Sequence, residues 1–171
     1  MAPWGRQMSR TLTVASGRLS VSDSSYFYDA PVVVDFPVGP AEVSIAAEVH
    51  GGHRHVLRVL LTTRSLQPGP TTRGAVLGKV VVDFAQICVG DRVAACAAFD
   101  ALGDAGMSRY FDQLQTEEGV FWIELPSNVA LLAFRSGFGD GLYPVIEVVD
   151  PTEARVGVEI DCTASMGDLL A

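Results

Sequence analysis

Short apolar or alternating runs, each closed within a few residues by glycine, proline or an Asx turn, fill most of this 171-residue chain. A period of two broken roughly every 8 to 12 residues is the pattern of an antiparallel β-sandwich or barrel. Thr11 to Ala15 and Arg18 to Ser22 alternate around Ser16-Gly17, and Pro31 to Phe36 closes at Pro37-Val-Gly-Pro40. Val43, Ile45, Ala47 and Val49 alternate along a half-buried strand, and His55 to Leu61 returns after Gly51-Gly52. Ala75 to Phe84 is largely apolar, which predicts a central strand covered on both faces. Near the C-terminus, Val120 to Leu125, Val129 to Arg135, Leu142 to Val149 and Arg155 to Asp161 are strand-like. Turns at Pro126-Ser-Asn128, Gly137-Phe-Gly-Asp-Gly141 and Asp150-Pro151 divide them. Asp140-Gly141 before a strand reads as a hairpin signal.

One segment departs from this rhythm. Asp91 can N-cap a helix through Phe99 and Leu102, with Val93, Cys96 and Phe99 on one stripe. Gly103 to Gly106 is expected to break it, and Ser108 to open a second short helix from Arg109 to Gln115. The expectation is therefore a mainly β, β-rich α+β fold. Antiparallel sheets of about ten strands pack as a sandwich or open barrel, with a short helical insertion at about 91–116. No repeat or linker divides the chain, so 1–171 reads as one domain, with 163–171 a tail.

The hairpin around Gly51-Gly52 permits a test of register. A two-residue turn pairs Ile45 with Arg58 and Val49 with Arg54, which puts charge on the core face. A three-residue loop of Gly51, Gly52 and His53 pairs Ala47 with Leu57, Ile45 with Val59 and Val43 with Leu61. A slip of one residue moves every side chain to the other face, so the three-residue loop is expected. That register sets His50 and His55 on opposite faces, with His53 in the loop. The H-x-x-H-x-H cluster is then not expected to converge on zinc, and no metal or cofactor is predicted.

Composition narrows the function classes. The apolar runs, Val129 to Phe134 among them, fall far short of the roughly 18 to 20 residues of a membrane helix. The opening Met1-Ala-Pro-Trp-Gly-Arg6 lacks the apolar core of a secretory signal. Three cysteines, Cys88, Cys96 and Cys162, lie in apolar patterns and read as free thiols of a reducing cytoplasm. Arginine dominates the cations, with Lys79 the single lysine, as in GC-rich bacterial genomes. The net charge of -8 is unevenly spread. Residues 1–90 hold eight basic and six acidic side chains, whereas residues 91–171 hold four and fourteen. A half this acidic repels phosphate backbones and argues against nucleic-acid binding, but it can steer a basic protein partner.

Catalytic constellations are not evident. All three histidines sit on one hairpin, away from any serine or cysteine nucleophile, and no G-x-S-x-G elbow occurs. The Gly137 to Gly141 loop has the glycine spacing of a phosphate loop but precedes a strand, not a helix. Asp83, Asp140 and Asp161 each end or flank a strand and remain as candidate ligand-contacting carboxylates.

Three segments carry a family resemblance. Ala15-Ser-Gly-Arg-Leu-Ser-Val-Ser-Asp23 resembles the "SGRL…D" opening of the bacterial domain-of-unknown-function family 4241. Val82-Asp-Phe-Ala85 is similar to its central "VDAG" element, with Ala85-Gln86 in place of the expected glycine. Phe134-Arg-Ser-Gly-Phe-Gly-Asp-Gly-Leu-Tyr-Pro-Val145 resembles its "F-x-SG-x-GDG-x-YP-V" segment, and Cys162 stands where a closing phenylalanine is usual. The resemblance implies a β-rich fold and a bacterial source, and carries no activity.

Two functions are expected from these readings. The first is a non-enzymatic, cytoplasmic protein-binding domain, an immunity-type inhibitor that neutralises a basic bacterial toxin. Its contact patch would combine Asp104, Asp112, Glu117 and Glu118 with Tyr110, Phe111 and Trp122. The alternative is a small-ligand-binding protein or enzyme, with Asp83, Asp140 and Asp161 rimming a pocket between sheets.

Overall fold

Two antiparallel sheets stack face to face, and a pair of helices covers the outer side of one of them. The computed structural model describes residues 6–8, 10–27, 31–50, 53–63, 71–116 and 119–163. The first sheet contains β1 (Arg6–Gln7), β2 (Leu12–Val14), β5 (Gly39–His50), β6 (His53–Thr63), β7 (Thr72–Val82), β11 (Gly141–Val149) and β12 (Arg155–Asp161). Its order is β1-β5-β6-β12-β11-β7, with β2 also paired to β5. The second sheet contains β3 (Arg18–Asp23), β4 (Val32–Asp35), β8 (Gln86–Asp91), β9 (Val120–Leu125) and β10 (Val129–Arg135), in the order β4-β3-β8-β10-β9. The helices are α1 (Arg92–Asp100) and α2 (Gly103–Thr116). The β-rich sandwich with a short helical insertion is the architecture that the alternation predicts.

Strand periodicity sorts the second sheet's residues into two cores. Leu19, Val21, Ile87, Val89, Leu132 and Phe134 face the first sheet and meet Val43, Ile45, Val59, Leu61, Val145, Val158 and Ile160. Cys88, Leu131, Ala133, Phe121, Ile123 and Leu125 face the opposite way, onto Ala95, Ala98 and Phe99 of α1 and Tyr110 and Leu114 of α2. Asp91 starts α1 as expected: its carboxylate accepts from the Ala94 amide at 2.9 Å and also from the Ser16 amide at 2.6 Å.

Several expectations are corrected. Ala75 to Phe84 is expected to be central, but among the described residues β7 ends the strand order and pairs with β11 alone. Val76 and Val81 are 57% and 50% exposed. The strand covered on both faces is β8, which the sequence reading passed over because it begins at Gln86 and ends at Gly90-Asp91. Those polar groups are satisfied inside: Gln86 Nε2 donates to the Leu114 carbonyl at 2.8 Å. The second helix starts at Gly103, whose φ of +59° makes the corner. Gly106 does not break this helix. It lies within α2 against Leu102, where a Cβ would come within 2.8 Å of Leu102 Cδ2. The buried stripe of α1 is Ala95, Ala98 and Phe99, and Val93 is exposed. Small alanines let the helix backbone approach the sheet. The tail lies outside the described residues from residue 164 onward.

The hairpin contains both registers weighed above. Val43 pairs with Leu61 and Ile45 with Val59, as the three-residue loop requires. A bulge after Ala46 then shifts the pairing, so Ala47 meets Val56, Glu48 meets His55, Val49 meets Arg54 and His50 meets His53. The core half obeys the hydrophobic pattern, and the outer half takes the other register as far as the His50–His53 pair. One extra residue on β6 reconciles the two.

Candidate functional site

At one end of the sandwich two arches cross between the sheets side by side. Residues 83–85 carry the chain from β7 to β8, and residues 136–140 carry it from β10 back to β11. The expected Asp140-Gly141 hairpin is therefore an inter-sheet crossover. The arches are tied together: the Ser136 amide donates to the Ala85 carbonyl at 3.0 Å, and the Ala85 amide donates to Asp140 Oδ1 at 3.0 Å. Ser136 Oγ is also bonded within the arches, to the Ala85 and Gly139 carbonyls, and the Tyr143 hydroxyl donates to Gly139 O at 2.7 Å. Burial pushes the Tyr143 phenol above its ordinary value, against the Ser136 hydrogen bond and helped by Cys162 and Asp140.

Asp23 anchors a third turn to these arches. Its Oδ2 accepts from the amides of Asp83 and Phe84 at 2.8 and 2.9 Å, and its Oδ1 accepts from Ser25 at 2.7 Å. Asp23 is 4% exposed, so three backbone donors replace the water its carboxylate gives up. Ala85 holds φ at 54° and Gly139 at 82°, so part of the geometry is left-handed and imposed by the surrounding bonds. The segments around Asp23, Asp83 and Asp140 meet here.

What this end presents to solvent is aromatic and acidic. Tyr26, Phe84 and Phe138 are 51%, 46% and 58% exposed, one on each tied turn. Asp83 and Asp140, on the same two arches as Phe84 and Phe138, are also exposed. Asp140 is half committed to Ala85, and among the described residues no partner of the Asp83 carboxylate is found. Sequence reasoning missed Phe84 and Phe138 as a pair. The available signal was an aromatic residue set among turn-formers, where no core position explains it.

Asp161 does not join Asp83 and Asp140. It follows Ile160, which faces the core, and so stands on the outer face of the first sheet. There its Oδ2 accepts from Arg73 at 2.8 Å, and its Oδ1 accepts from the Thr163 amide at 2.9 Å. Burial opposes the charge of Asp161, but Thr163 and Arg73 outweigh it and hold the carboxyl below its ordinary 3.8. Glu159, also paired with Arg73, lies 3.9 Å from the buried Arg58. This cross-strand charge network reads as structural, since each anion has a guanidinium partner.

The expected contact patch is also divided. Asp104 and Asp112 are exposed on α2, and Phe111 is 38% exposed. Tyr110 is 4% exposed: its ring packs edge-on to Phe99 at 5.0 Å, and its hydroxyl donates to Ser24 O at 2.6 Å. Trp122 packs on the other side of the second sheet, against the sandwich core, with Arg10 4.6 Å above its ring. Glu117 and Glu118 lie outside the described residues. Tyr110 and Trp122 part from the exposed acids because α2 buries every fourth residue from Gly106 to Leu114, and Trp122 sits one position out of phase with Phe121 and Ile123.

The histidine expectation changes too. Directly paired residues share a face, as do residues two apart. The observed pairs therefore place Glu48, His50, His53 and His55 on one face of the ribbon, not on two. His55 Nδ1 donates to the Gly137 carbonyl at 2.7 Å, which joins the hairpin to the second arch. The side chains of His50 and His53 are outside the description.

The fold and this end together define a two-sheet antiparallel sandwich with a helical layer and a turn-built, aromatic and acidic face. Comparison with protein-family models, with curated proteins and with solved structures finds no match. Among the described residues no helix is long and apolar enough to cross a membrane.

Proposed function

We propose that the chain is a non-enzymatic protein-binding domain of a bacterial cytoplasm, an immunity-type inhibitor that neutralises a basic toxin through an acidic surface. The observation that carries this reading is the face formed by Phe84, Phe138 and Tyr26 beside Asp83 and Asp140. Aromatic anchors on turns that are already ordered contribute contact area with little entropy left to lose. Neighbouring carboxylates add attraction for lysine and arginine, and the net charge of -8 extends it beyond contact distance. The exposed Asp104 and Asp112 of the helical layer belong to the same long-range field.

The alternative pocket rimmed by three aspartates loses Asp161, whose carboxylate is bound to Arg73 and Thr163 on the outside of the first sheet. The test is titration of the purified chain with the product of the adjacent gene at several salt concentrations. Binding should weaken with salt. Phe84→Ala with Phe138→Ala should lower affinity by roughly 100-fold, and Asp104→Asn with Asp112→Asn should slow association more than it speeds dissociation. Wild-type affinity in the double phenylalanine variant would remove this face from the proposal, and no binding at all would end it.

A further inference from the structure

We propose that β7 pairs with β7 of a second copy of this chain, antiparallel about a two-fold axis at Val81, with Lys79 of each copy opposite Asp83 of the other. Exposure alternates along this stretch. Lys79, Val81 and Asp83 are exposed, whereas Val80 and Val82 are buried in the core between the sheets. The first three therefore share the outer face of the first sheet. Lys79 and Asp83 stand about 13 Å apart along the strand, too far to pair with each other. Among the described residues neither has an ion-pair partner. A two-fold axis at Val81 sets each cation against a carboxylate, and sets the two valines, each 50% exposed, against one another. Residues directly opposed across antiparallel strands share a face, with Cβ atoms about 5 Å apart.

The edge itself is open to a strand. Among the described residues β7 ends the first sheet, and no side chain there is bonded to its backbone. The strands that end the second sheet differ. Gln113 Nε2 donates to Trp122 O of β9 at 3.1 Å, and Arg155 donates to Asp35 O of β4 at 3.0 Å. A free row of amides and carbonyls is a template for another chain. Pairing of β7 with β11 is unbroken from Gly78 to Val82, and its register shifts lie on the far side of Gly78, so the segment is regular where the copy lies. A lysine on an edge opposes stray pairing. Here it selects one register, since Asp83 is the single acid between Thr71 and Asp83. The two-fold closes the contact after two chains, which gives a dimer and not a fibre. About five residues a side is small beside the roughly 20 to 30 of a standard interface, so the dimer is reversible. This contact goes beyond the toxin-binding reading and does not depend on it, although Asp83 serves both.

The experiment uses the full chain alone. Sedimentation equilibrium between about 5 µM and about 1 mM should show a monomer–dimer equilibrium. Lys79→Asp and Asp83→Lys should each raise the dimer dissociation constant at least about 10-fold, because each change acts twice across the two-fold. Combined in one chain they restore opposed charges, and should return the constant to within about threefold of wild type. Val81→Cys in a Cys96→Ser chain should link two copies on oxidation, since residues opposed at the axis lie within the roughly 4.4 to 6.8 Å that a disulfide spans. Lys79→Cys in the same chain should not, because its two copies lie about 13 Å apart along the strands. A monomer at every concentration, no recovery in the Lys79→Asp, Asp83→Lys chain, or equal linkage through 79 and 81 overturns the proposal. Toxin binding plays no part in these measurements, so their failure leaves that reading standing.

Discussion

Asp23 and Asp83 stand 60 residues apart in the chain, yet Oδ2 of the first accepts a hydrogen bond from the backbone amide of the second at 2.8 Å. The same oxygen accepts from Phe84, and the other carboxylate oxygen from Ser25. One side chain thus fixes the 24–26 turn to the arch between the two sheets.

Replacing Asp23 by alanine strands those amides where water reaches them poorly. A buried donor left without a partner costs about 1 to 3 kcal/mol, and part of this set can rehydrate. Asp23→Ala should lower the unfolding free energy by about 2 to 3 kcal/mol. Urea denaturation checks this through a shifted midpoint with an unchanged slope.

Gly137 and Gly139 are two residues apart and should respond differently to alanine. At Gly139, with φ of 82° and open space around it, the cost is only that of a left-handed alanine, about 1 kcal/mol. At Gly137 the added carbon meets backbone, 2.6 Å from Val56 O, so strand and arch must separate, at about 3 kcal/mol. Melting temperatures of the two variants, measured side by side, decide it; equal shifts would show that the arch does not press on β6.

Asp161 and Asp91 both have folded carboxyls below their ordinary 3.8. For Asp91 burial again opposes the charge, and the amides of Ala94 and Ser16 prevail. Near pH 4 the folded chain therefore binds fewer protons at these sites than the unfolded chain. Their contribution to stability is complete above the unfolded value and disappears as the pH falls through the lower, folded one. Unfolding free energy should decline on acidification below about pH 5, and less steeply in Asp161→Asn. Denaturant midpoints between about pH 3 and 6 measure the slope.

Thiol chemistry should separate the cysteines. Burial pushes the Cys88 thiol up to about 12, with Asp23 adding to the rise and Tyr110 opposing it. Burial also raises Cys162, and Asp161 adds to this. Cys96 is half-buried on α1. At pH 8 a thiol reagent should label Cys96 first, and the other two only at the rate of unfolding. Mass mapping of the labelled peptides reads this directly.

The sequence revealed the sandwich because half-buried strands write their exposure into alternation, as Val43 to Val49 does. It misled where that link fails. The apolar run of β7 sits at an edge, with its outward valines in solvent. The strand buried on both faces instead carries glutamine, glycine and aspartate, satisfied by bonds no local pattern announces. The hairpin was half legible: its hydrophobic pairs set the register of the core half, while beyond the bulge after Ala46 no buried pair constrains it. The arch site was visible only as separate fragments, because its unity depends on Asp23 and Asp140 each reaching a backbone distant in sequence. Tyr110 and Trp122 part for a related reason: a second core lies behind the second sheet, and no local pattern announces it.

That second core has a consequence for how the molecule breathes. Leu131 and Leu132 are adjacent in sequence but lie in different compartments, one sealed by helices and the other by a sheet. Lifting α1 and α2 would wet the first and leave the second dry. Amide exchange should then proceed in two tiers: the helices through a partial opening, and β8 and β10 only when the whole chain unfolds. The middle strands thus report global stability, and the helical layer keeps a faster clock of its own.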